Sequence, residues 1–565
     1  MMTDDLRARA AAWLADDPDA TDRAELADLL GDASDEAEAD LADRFARRLS
    51  FGTAGLRGAV GAGPNRMNRA TVTAATAALA SWLLGRDPAA AHAGVVVGCD
   101  ARHRSKEFAL QAAQVLAGAG IRVRLLPERQ PTPLLAFAVR HYGAAAGVMI
   151  TASHNPPGDN GYKLYLGDGA QIVPPADSDI ESAIAALGPL ADISVAAPDS
   201  PLILHAGDEV AQAYLDAVGA ELGAAPSGAA WLRVVYTPLH GVAGQLALRA
   251  LTEAGYPPPD VVAAQFDPDP AFPTVHSPNP EEPGVLDLAI AQARRSGADL
   301  VVANDPDGDR LAVAVPDPAA PRGYRQLTGD QVGALLGWFL LHRVATDPGA
   351  VMSEQLVVST IVSGSLLSKI AAAAGAQYAQ TLTGFKWIVR AGDLRSGVRF
   401  AYGYEEALGY AVTGAVRDKD GISAALALLA VAATEWSSGR SLQDAYDALE
   451  ETHGVHVTAQ VSMPTEAAID LMSRLRAAPP AELAGRAVLA CTDYSGGSGL
   501  PSADMLGYEL PGARVVIRPS GTEPRIKAYL EVTELVTGRT LTDTRRAAQE
   551  RMSGLRDAVA AMLAG

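Results

Sequence analysis

In the stretch Ala146-Gly-Val-Met-Ile-Thr-Ala-Ser-His-Asn-Pro-Pro-Gly-Asp-Asn-Gly-Tyr-Lys163, residues 147–150 form a short apolar run, the pattern of a strand buried in a parallel sheet. The run stops at small and polar residues, so Ser153 falls on a loop at the C-terminal edge of the sheet, where open α/β sheets place ligands. Pro156, Pro157 and Gly158 stiffen that loop, and Asn160-Gly161 turns the chain into a second strand over 162–166. The segment reads as a rigid holder for a hydroxyl.

Upstream, strands at 95–97 and 121–126 alternate with helices at 108–116 and 134–142 before the strand that delivers Ser153. Such alternation predicts βαβ units and a mostly parallel sheet. The same grammar then repeats downstream. A strand at 231–236 opens into Thr237-Pro-Leu-His-Gly-Val-Ala-Gly244, and one at 299–303 opens into Asn304-Asp-Pro-Asp-Gly-Asp-Arg310. Strands at 356–360 and 398–402 belong to a third unit, the latter leading into Gly403-Tyr-Glu-Glu-Ala-Leu-Gly-Tyr410. The organisation repeats; the residues do not. The last segment differs, with a strand at 514–517, the loop Arg518-Pro-Ser-Gly-Thr-Glu-Pro524, a strand at 525–532 and a terminal helix at 544–563, which reads as α+β. Residues 1 to about 50 read as acidic amphipathic helices, with Leu26, Leu29, Leu30, Leu41, Phe45 and Leu49 at helical spacing and a packing role. Breaks in the Pro-, Asp- and Gly-rich segments divide the chain at 1–205, 206–320, 321–452 and 453–565.

At 565 residues the chain exceeds the size of a single core, so several domains are expected. No apolar run approaches about 18 residues, which argues against a transmembrane helix. The N-terminus lacks the basic-then-apolar order of a secretory signal, and the only two cysteines, Cys99 and Cys491, lie far apart. A cytoplasmic location follows as the expectation. The formal charge of −20 opposes binding to a nucleic-acid backbone. An anionic small substrate must therefore meet a local cluster of cations. Lysine marks candidates for it, because only six of 46 basic residues are lysines, at 106, 163, 369, 386, 419 and 527. All but Lys369 fall in polar loops such as Gly98-Cys-Asp-Ala-Arg-His-Arg-Ser-Lys106 or in the strands that flank such loops.

Asp305-Pro-Asp-Gly-Asp309 sets carboxylates at every second residue on a glycine-containing loop. Oxygen-only ligands favour a hard cation such as Mg²⁺. A calcium EF-hand fits poorly, since Arg310 and Pro316 stand where that loop needs Gly and Glu. Arg518, Ser520, Gly521, Thr522 and Arg525 supply donors for a phosphate, two guanidiniums gripping it and the loop backbone forming a nest. Glu405 and Glu406 are suited to accept hydrogen bonds from neighbouring sugar hydroxyls. His240 and His276, in Pro-rich loops, are read as structural. Ser153-His154 lacks the Gly-x-Ser-x-Gly elbow of a hydrolase.

Thr-Ala-Ser-His-Asn-Pro followed by Asn-Gly-Tyr-Lys resembles the phosphoserine loop of the α-D-phosphohexomutases, the family of phosphoglucomutases and phosphomannomutases. The aspartate loop, the Glu-Glu loop and the C-terminal loop resemble that family's metal, sugar and phosphate loops in the same order, across residues 51 to 530. The resemblance implies three α/β domains with mixed, mostly parallel sheets and a smaller C-terminal α+β domain round a central cleft. It makes Ser153 the phosphoryl carrier, and makes Asp305, Asp307 and Asp309 the Mg²⁺ ligands together with the phosphorylated serine. It makes Arg57, in Phe51-Gly-Thr-Ala-Gly-Leu-Arg-Gly58, a cation beside the phosphoserine, with Arg310 as a second. His154 joins the catalytic set, and Lys163 is the candidate general acid/base because a lysine, unlike arginine, can give up its proton. Thr383-Gly-Phe-Lys-Trp387 and Arg417-Asp-Lys-Asp-Gly421 resemble the longer phosphopentomutase and bisphosphate-synthase branch, which makes Lys386 a substrate contact. The family's sugar loop reads Gly-Glu-x-Ser-Gly, and here Ala407 replaces the serine.

The implied function is a mutase interconverting hexose 1-phosphate and hexose 6-phosphate, on glucose and also mannose, through phosphoserine and a sugar bisphosphate that also serves as activator. The alternatives are a phosphopentomutase acting on ribose or deoxyribose phosphates, a serine-dependent sugar phosphatase, and a catalytically silent phosphosugar binder. The sequence leaves the oligomeric state open.

Overall fold

The computed structural model describes residues 4–51, 55–393, 395–464, 468–497, 499–520 and 525–564. Its first sheet orders β1 (Leu56–Ala59), β5 (Asp159–Leu166), β4 (Ala146–Ile150), β2 (Val95–Cys99), β3 (Val123–Leu125) and β6 (Ile203–His205) side by side. β4, β2, β3 and β6 run parallel, while β1 and β5 close one edge antiparallel. Every residue of β2 and β4 is buried, as their unbroken apolar runs predict.

The second sheet has the order β11 (Tyr324–Gln326), β10 (Leu311–Pro316), β9 (Leu300–Asn304), β7 (Val234–Thr237), β8 (Asp260–Val261). The strand expected from residue 231 starts at Val234, because Ser227–Trp231 turns as a 3-10 helix against the helix Gly421–Ser437. In the third sheet β13 (Gln377–Thr381), β12 (Gln355–Thr360) and β14 (Arg399–Glu405) are parallel, and β15 (Gly409–Ala411) is antiparallel to β14.

One construction recurs in all three. A parallel strand ends in a short loop and the chain returns as its antiparallel neighbour, closing at Ile150↔Tyr162, Asn304↔Leu311 and Glu405↔Gly409. The three loops so formed carry Ser153, the aspartates and the glutamates.

The fourth sheet is wholly antiparallel: β16 (Val455–Pro464), β22 (Arg525–Glu534), β21 (Ala513–Pro519), β20 (Leu506–Leu510), β19 (Ala490–Asp493). A two-stranded ribbon, β17 (Glu482–Leu483) with β18 (Arg486–Ala487), precedes β19 in the chain. The helix Leu541–Ala564 covers the face of the sheet through Ala548, Met552, Leu555, Val559 and Leu563. The N-terminal helices Asp4–Asp16, Ala20–Gly31 and Asp35–Ala46 bury Ala10, Leu26, Leu41 and Phe45 together with Ala62, in keeping with a packing role. Among the described residues no single helix is long and apolar enough to cross a membrane. The most apolar one, Gly421–Ser437, is buried nearly throughout because it is packed between the second and third sheets.

Candidate active site

Ser153 leaves β4 with a left-handed backbone, φ 55°. That conformation costs a non-glycine residue on the order of 1 kcal/mol or more and survives only where the surroundings impose it. Here they do. Ser153 N donates to Thr151 Oγ1 at 2.9 Å. The buried guanidinium of Arg102 donates to the carbonyls of Ser153 (2.7 Å), Asn155 (2.5 Å), Pro156 (2.8 Å) and Asp159 (3.1 Å), tying the whole loop to one rigid fork.

The aspartate loop is held from three sides. Thr132 N donates to Asp307 O (2.9 Å), Val242 N to Pro306 O (2.8 Å) and Gly421 N to Gly308 O (3.2 Å). Gly308 has φ +74°, and a Cβ there would lie 2.9 Å from Ala243 Cβ and 3.1 Å from Pro131 Cβ, so only glycine fits this crossing point. The loop therefore sits where the first three sheets converge.

Ser153, Asp305, Asp307 and Asp309 are all buried, the aspartates fully. Ser153 Oγ donates to Asp305 Oδ2 at 2.9 Å, and His154 Nδ1 lies 3.3 Å from the same Oγ. Lys163 Nζ reaches Asp307 Oδ2 at 2.6 Å and Asp309 Oδ2 at 2.9 Å, and Lys419 Nζ reaches Asp309 Oδ2 at 2.8 Å. Thr132 Oγ1 donates to Asp307 Oδ2 at 2.6 Å. Arg310 donates its backbone N–H to Asp305 Oδ1 (3.0 Å) and holds its guanidinium about 4 Å from Asp305 and Asp309. Arg57 approaches through Asn155 Oδ1 at 3.4 Å.

The charges are unevenly shared. Burial and the charges of Asp307 and Asp309 push the Asp305 carboxyl well above the usual range. Burial would raise Asp307 too, but the charge and hydrogen bond of Lys163 outweigh it and hold that carboxyl far below. Burial, Arg310 and Arg57 push His154 well below its ordinary value, so its ring is neutral.

Three carboxylates offer one oxygen each within 4.8 Å of one another, and Asp307 Oδ1 and Asp309 Oδ1 are buried with no hydrogen-bond partner among the described residues. Orphaned buried carboxylate oxygens beside a carboxyl that resists ionisation are what a divalent cation would satisfy. The all-oxygen donor set fits Mg²⁺.

On the sugar side, Glu406 Oε2 accepts from Ser363 Oγ (2.9 Å) and Thr360 Oγ1 (3.1 Å). Burial and then the charges of Glu405 and Asp330 push its carboxyl up to about 7. Glu405 is raised by burial, opposed first by Lys419 and then by Arg310, which ties it to the aspartate cluster. Lys386 is buried, its ammonium 5.6 Å from the Trp387 ring centroid, and its pKa is lowered by that burial.

In the C-terminal hairpin, Arg518 donates to Tyr529 OH (3.1 Å) and lies 5.6 Å over that ring, while Arg525 Nε donates to Ser462 Oγ (3.0 Å) and Ser520 N to Arg525 O (2.8 Å). Gly521 and Thr522 lie outside the described residues. Tyr529 packs against Ile361 and Val362 and feels the charge of Glu406, so the hairpin is docked beside the sugar loop.

Thus Ser153, His154, Lys163, the three aspartates and Arg310 meet in one cluster, with Arg57 at its rim. Sequence reasoning assigns no role to Thr132, Arg102 or Lys419. Lys419 carries a signal as one of the six lysines; Thr132 and Arg102 carry none, since a Thr before a helix and an Arg in a turn are ordinary.

Models of the phosphoglucomutase/phosphomannomutase α/β/α domains I, II and III match residues 48–189, 212–318 and 328–453. The chain belongs to the α-D-phosphohexomutase family. It is therefore a mutase, an isomerase that works by phosphoryl transfer. A Haemophilus influenzae relative named "Probable phosphomannomutase" is 42% identical over 82% of this chain and 93% of its own length. The human phosphopentomutase is 34% identical over 92% of this chain and 90% of that one, and a Staphylococcus epidermidis phosphoglucomutase is 35% identical over 86% and 90%. A phosphoglucomutase/phosphomannomutase family protein from Burkholderia thailandensis superposes with a TM-score of 0.66 at 21% identity, covering 89% of this mutase and 98% of that chain, a likeness of fold.

Proposed function

We propose that this mutase interconverts hexose 1-phosphate and hexose 6-phosphate in the cytoplasm, with glucose as the principal sugar and mannose as a second, through a phosphorylated Ser153. The observation that carries the reading is a strained, buried serine whose Oγ is 2.9 Å from one carboxylate of a three-aspartate cluster.

In the first half-reaction the Oγ–P bond of phosphoserine 153 breaks as the sugar's free hydroxyl oxygen bonds to phosphorus. Lys163 is assigned as general acid/base: its ammonium, which donates to Asp307 and Asp309, gives a proton to the departing Ser153 Oγ and is restored by the proton of the sugar hydroxyl. The bisphosphate then turns so that its other phosphate faces Ser153. Oγ attacks, its proton going to the neutral His154 Nδ1 3.3 Å away, and the second O–P bond breaks as the departing sugar oxygen takes a proton from Lys163, which the His154 proton then replaces, leaving the isomeric monophosphate. Arg57 and Arg310 stabilise the charge of the group in flight. Arg518, Ser520, Gly521, Thr522 and Arg525 hold the phosphate that is not transferred. Glu405, Glu406 and Lys386 orient the ring. Mg²⁺ held by Asp305, Asp307 and Asp309, with the serine oxygen facing them, would supply further neutralisation of phosphoryl charge. A sugar 1,6-bisphosphate serves as activator by rephosphorylating Ser153, and the domain limits near 205, 320 and 452 assign one principal loop to each domain.

A pentose reading is favoured by one observation, that relatives named for pentose phosphates, from Schizosaccharomyces pombe and human, match over 92% of this chain. A phosphatase would need no second phosphate site, and a silent binder would need neither the serine nor the aspartates. The test is intact-mass measurement of the purified protein with and without glucose 1,6-bisphosphate, beside turnover of glucose 1-phosphate. One added phosphate on Ser153 and conversion to the 6-phosphate are expected; release of inorganic phosphate instead would overturn the mutase mechanism.

A further inference from the structure

The turn that follows β12 supplies both hydroxyls that hold Glu406, from Thr360 and Ser363. Its own backbone is held almost entirely by other parts of the chain. Gly364 N donates to Asp330 Oδ1 at 2.6 Å, and the same oxygen accepts from the hydroxyl of Tyr404, the residue before Glu405, at 3.0 Å. Ile361 N donates to Thr381 O at 2.9 Å and Tyr404 OH to Gly364 O at 3.2 Å, and further anchors come from the C-terminal sheet. Arg514 on β21 donates to the carbonyls of Ile361 (3.0 Å) and Ser363. Glu531, its register partner on β22, accepts from Ser365 N (2.7 Å) and Ser365 Oγ (2.9 Å).

Arg514 and Glu531 are themselves paired at 3.0 Å, and His456 Nδ1 lies 2.9 Å from Glu531. Ion pairs at this depth are weak evidence for stability, because well-packed apolar residues do as well or better. A planar fork spanning two carbonyls of one turn does something an apolar pair cannot: it fixes the rotation of the peptide that carries Ser363 Oγ.

We propose that Arg514 and Glu531 are positioning residues for Glu406, so that the seat of the C-terminal domain on the 360–365 turn sets the grip on the sugar. The inference rests on the reading of Glu406 as a sugar contact. Arg514 touches no substrate; it orients Ser363, and Ser363 orients the carboxylate.

The test measures kcat and KM for glucose 1-phosphate, with saturating bisphosphate, for E406Q, R514K, S363A and the double variant E406Q/R514K. R514K keeps the charge and loses the fork. S363A leaves the Arg514 contacts and removes only the hydroxyl, so it reports on the relay even where R514K destabilises the fold. The expected result is a KM raised about tenfold in R514K and S363A with kcat within about twofold, and a double variant no worse than E406Q alone, the non-additivity of residues acting in series. Unchanged KM in S363A, or a double variant whose losses multiply, overturns the relay while E406Q still raises KM. Unchanged KM in E406Q removes the sugar contact itself, a separate failure.

Discussion

Around Ser153, Asp307 and Asp309 are braced on one oxygen each, Lys163 bridging the two, Lys419 adding to Asp309 and Thr132 donating to Asp307, while Asp307 Oδ1 and Asp309 Oδ1 stay open to a cation. Around Glu406 the partners are two neutral hydroxyls, and the carboxyl is pushed up to about 7. The first region is cross-braced by three sheets, and Arg102 alone takes four carbonyls of its loop. The second is seated by a domain that holds the turn through the polar contacts of Arg514 and Glu531 and the packing of Tyr529 on Ile361 and Val362. The difference follows the chemistry. Phosphoryl transfer needs fixed charges at fixed distances, whereas the proposed sugar site, which in the proposed mechanism receives the ring in two orientations, needs hydrogen-bonding groups that serve either face.

The most severe test of this contrast is S153A, for which turnover is expected to fall to background while the melting temperature holds; substantial mutase activity would remove Ser153 from the mechanism. Next is the aspartate cluster. EDTA should abolish activity and Mg²⁺ restore it, and D307A should not be rescued; full activity in metal-free buffer contradicts the assignment. In the second region effects are smaller. R525A should raise KM by about thirtyfold, the equivalent of about 2 kcal/mol for a lost charged hydrogen bond, and should slow phosphorylation of Ser153 by a sugar bisphosphate. Unchanged kinetics would place the phosphate elsewhere.

Sugar discrimination probes the second region alone. Because Ala407 stands where the family's sugar loop carries a serine hydroxyl, mannose 1-phosphate should turn over within about tenfold of glucose 1-phosphate in kcat/KM. Hexose values more than about a hundredfold below those for ribose and deoxyribose 1-phosphates would make this a pentose enzyme. The smallest effect is on pH. Glu406 is raised from an ordinary 4.5 to about 7, so it is neutral below and ionised above that value. Its second hydrogen-bond acceptor role is lost as pH falls through 7, and KM for the sugar should rise about threefold between pH 8 and 6, on the order of 0.7 kcal/mol. E406Q should flatten that profile; a slope that persists in E406Q assigns it to another group.

The loops are legible because each keeps its chemistry within a few consecutive residues at the end of an apolar run. Ser153 follows β4, the aspartates follow β9 and the glutamates end β14, and an apolar run stopped by small, acidic and glycine residues is visible in one dimension. Their partners are not. Thr132 meets Asp307 across 175 residues, and Arg514 meets Ser363 across 151. Nothing local separates a threonine at a helix start or a strand arginine from hundreds of ordinary ones. The start of β7 departs from expectation for a related reason: the strand expected from residue 231 begins only at Val234, because Ser227–Trp231 docks on the helix Gly421–Ser437 as a 3-10 turn.

The α/β repeats, the order of the four loops and the kind of chemistry each can hold are written in the linear chain, because strand burial and loop composition are local properties. Only packing settles that these loops converge, which aspartate is pushed up and which is held down, and which carboxyl is raised to about 7. Those outcomes depend on desolvation and on charges brought together from distant strands, and neither exists until the sheets have packed.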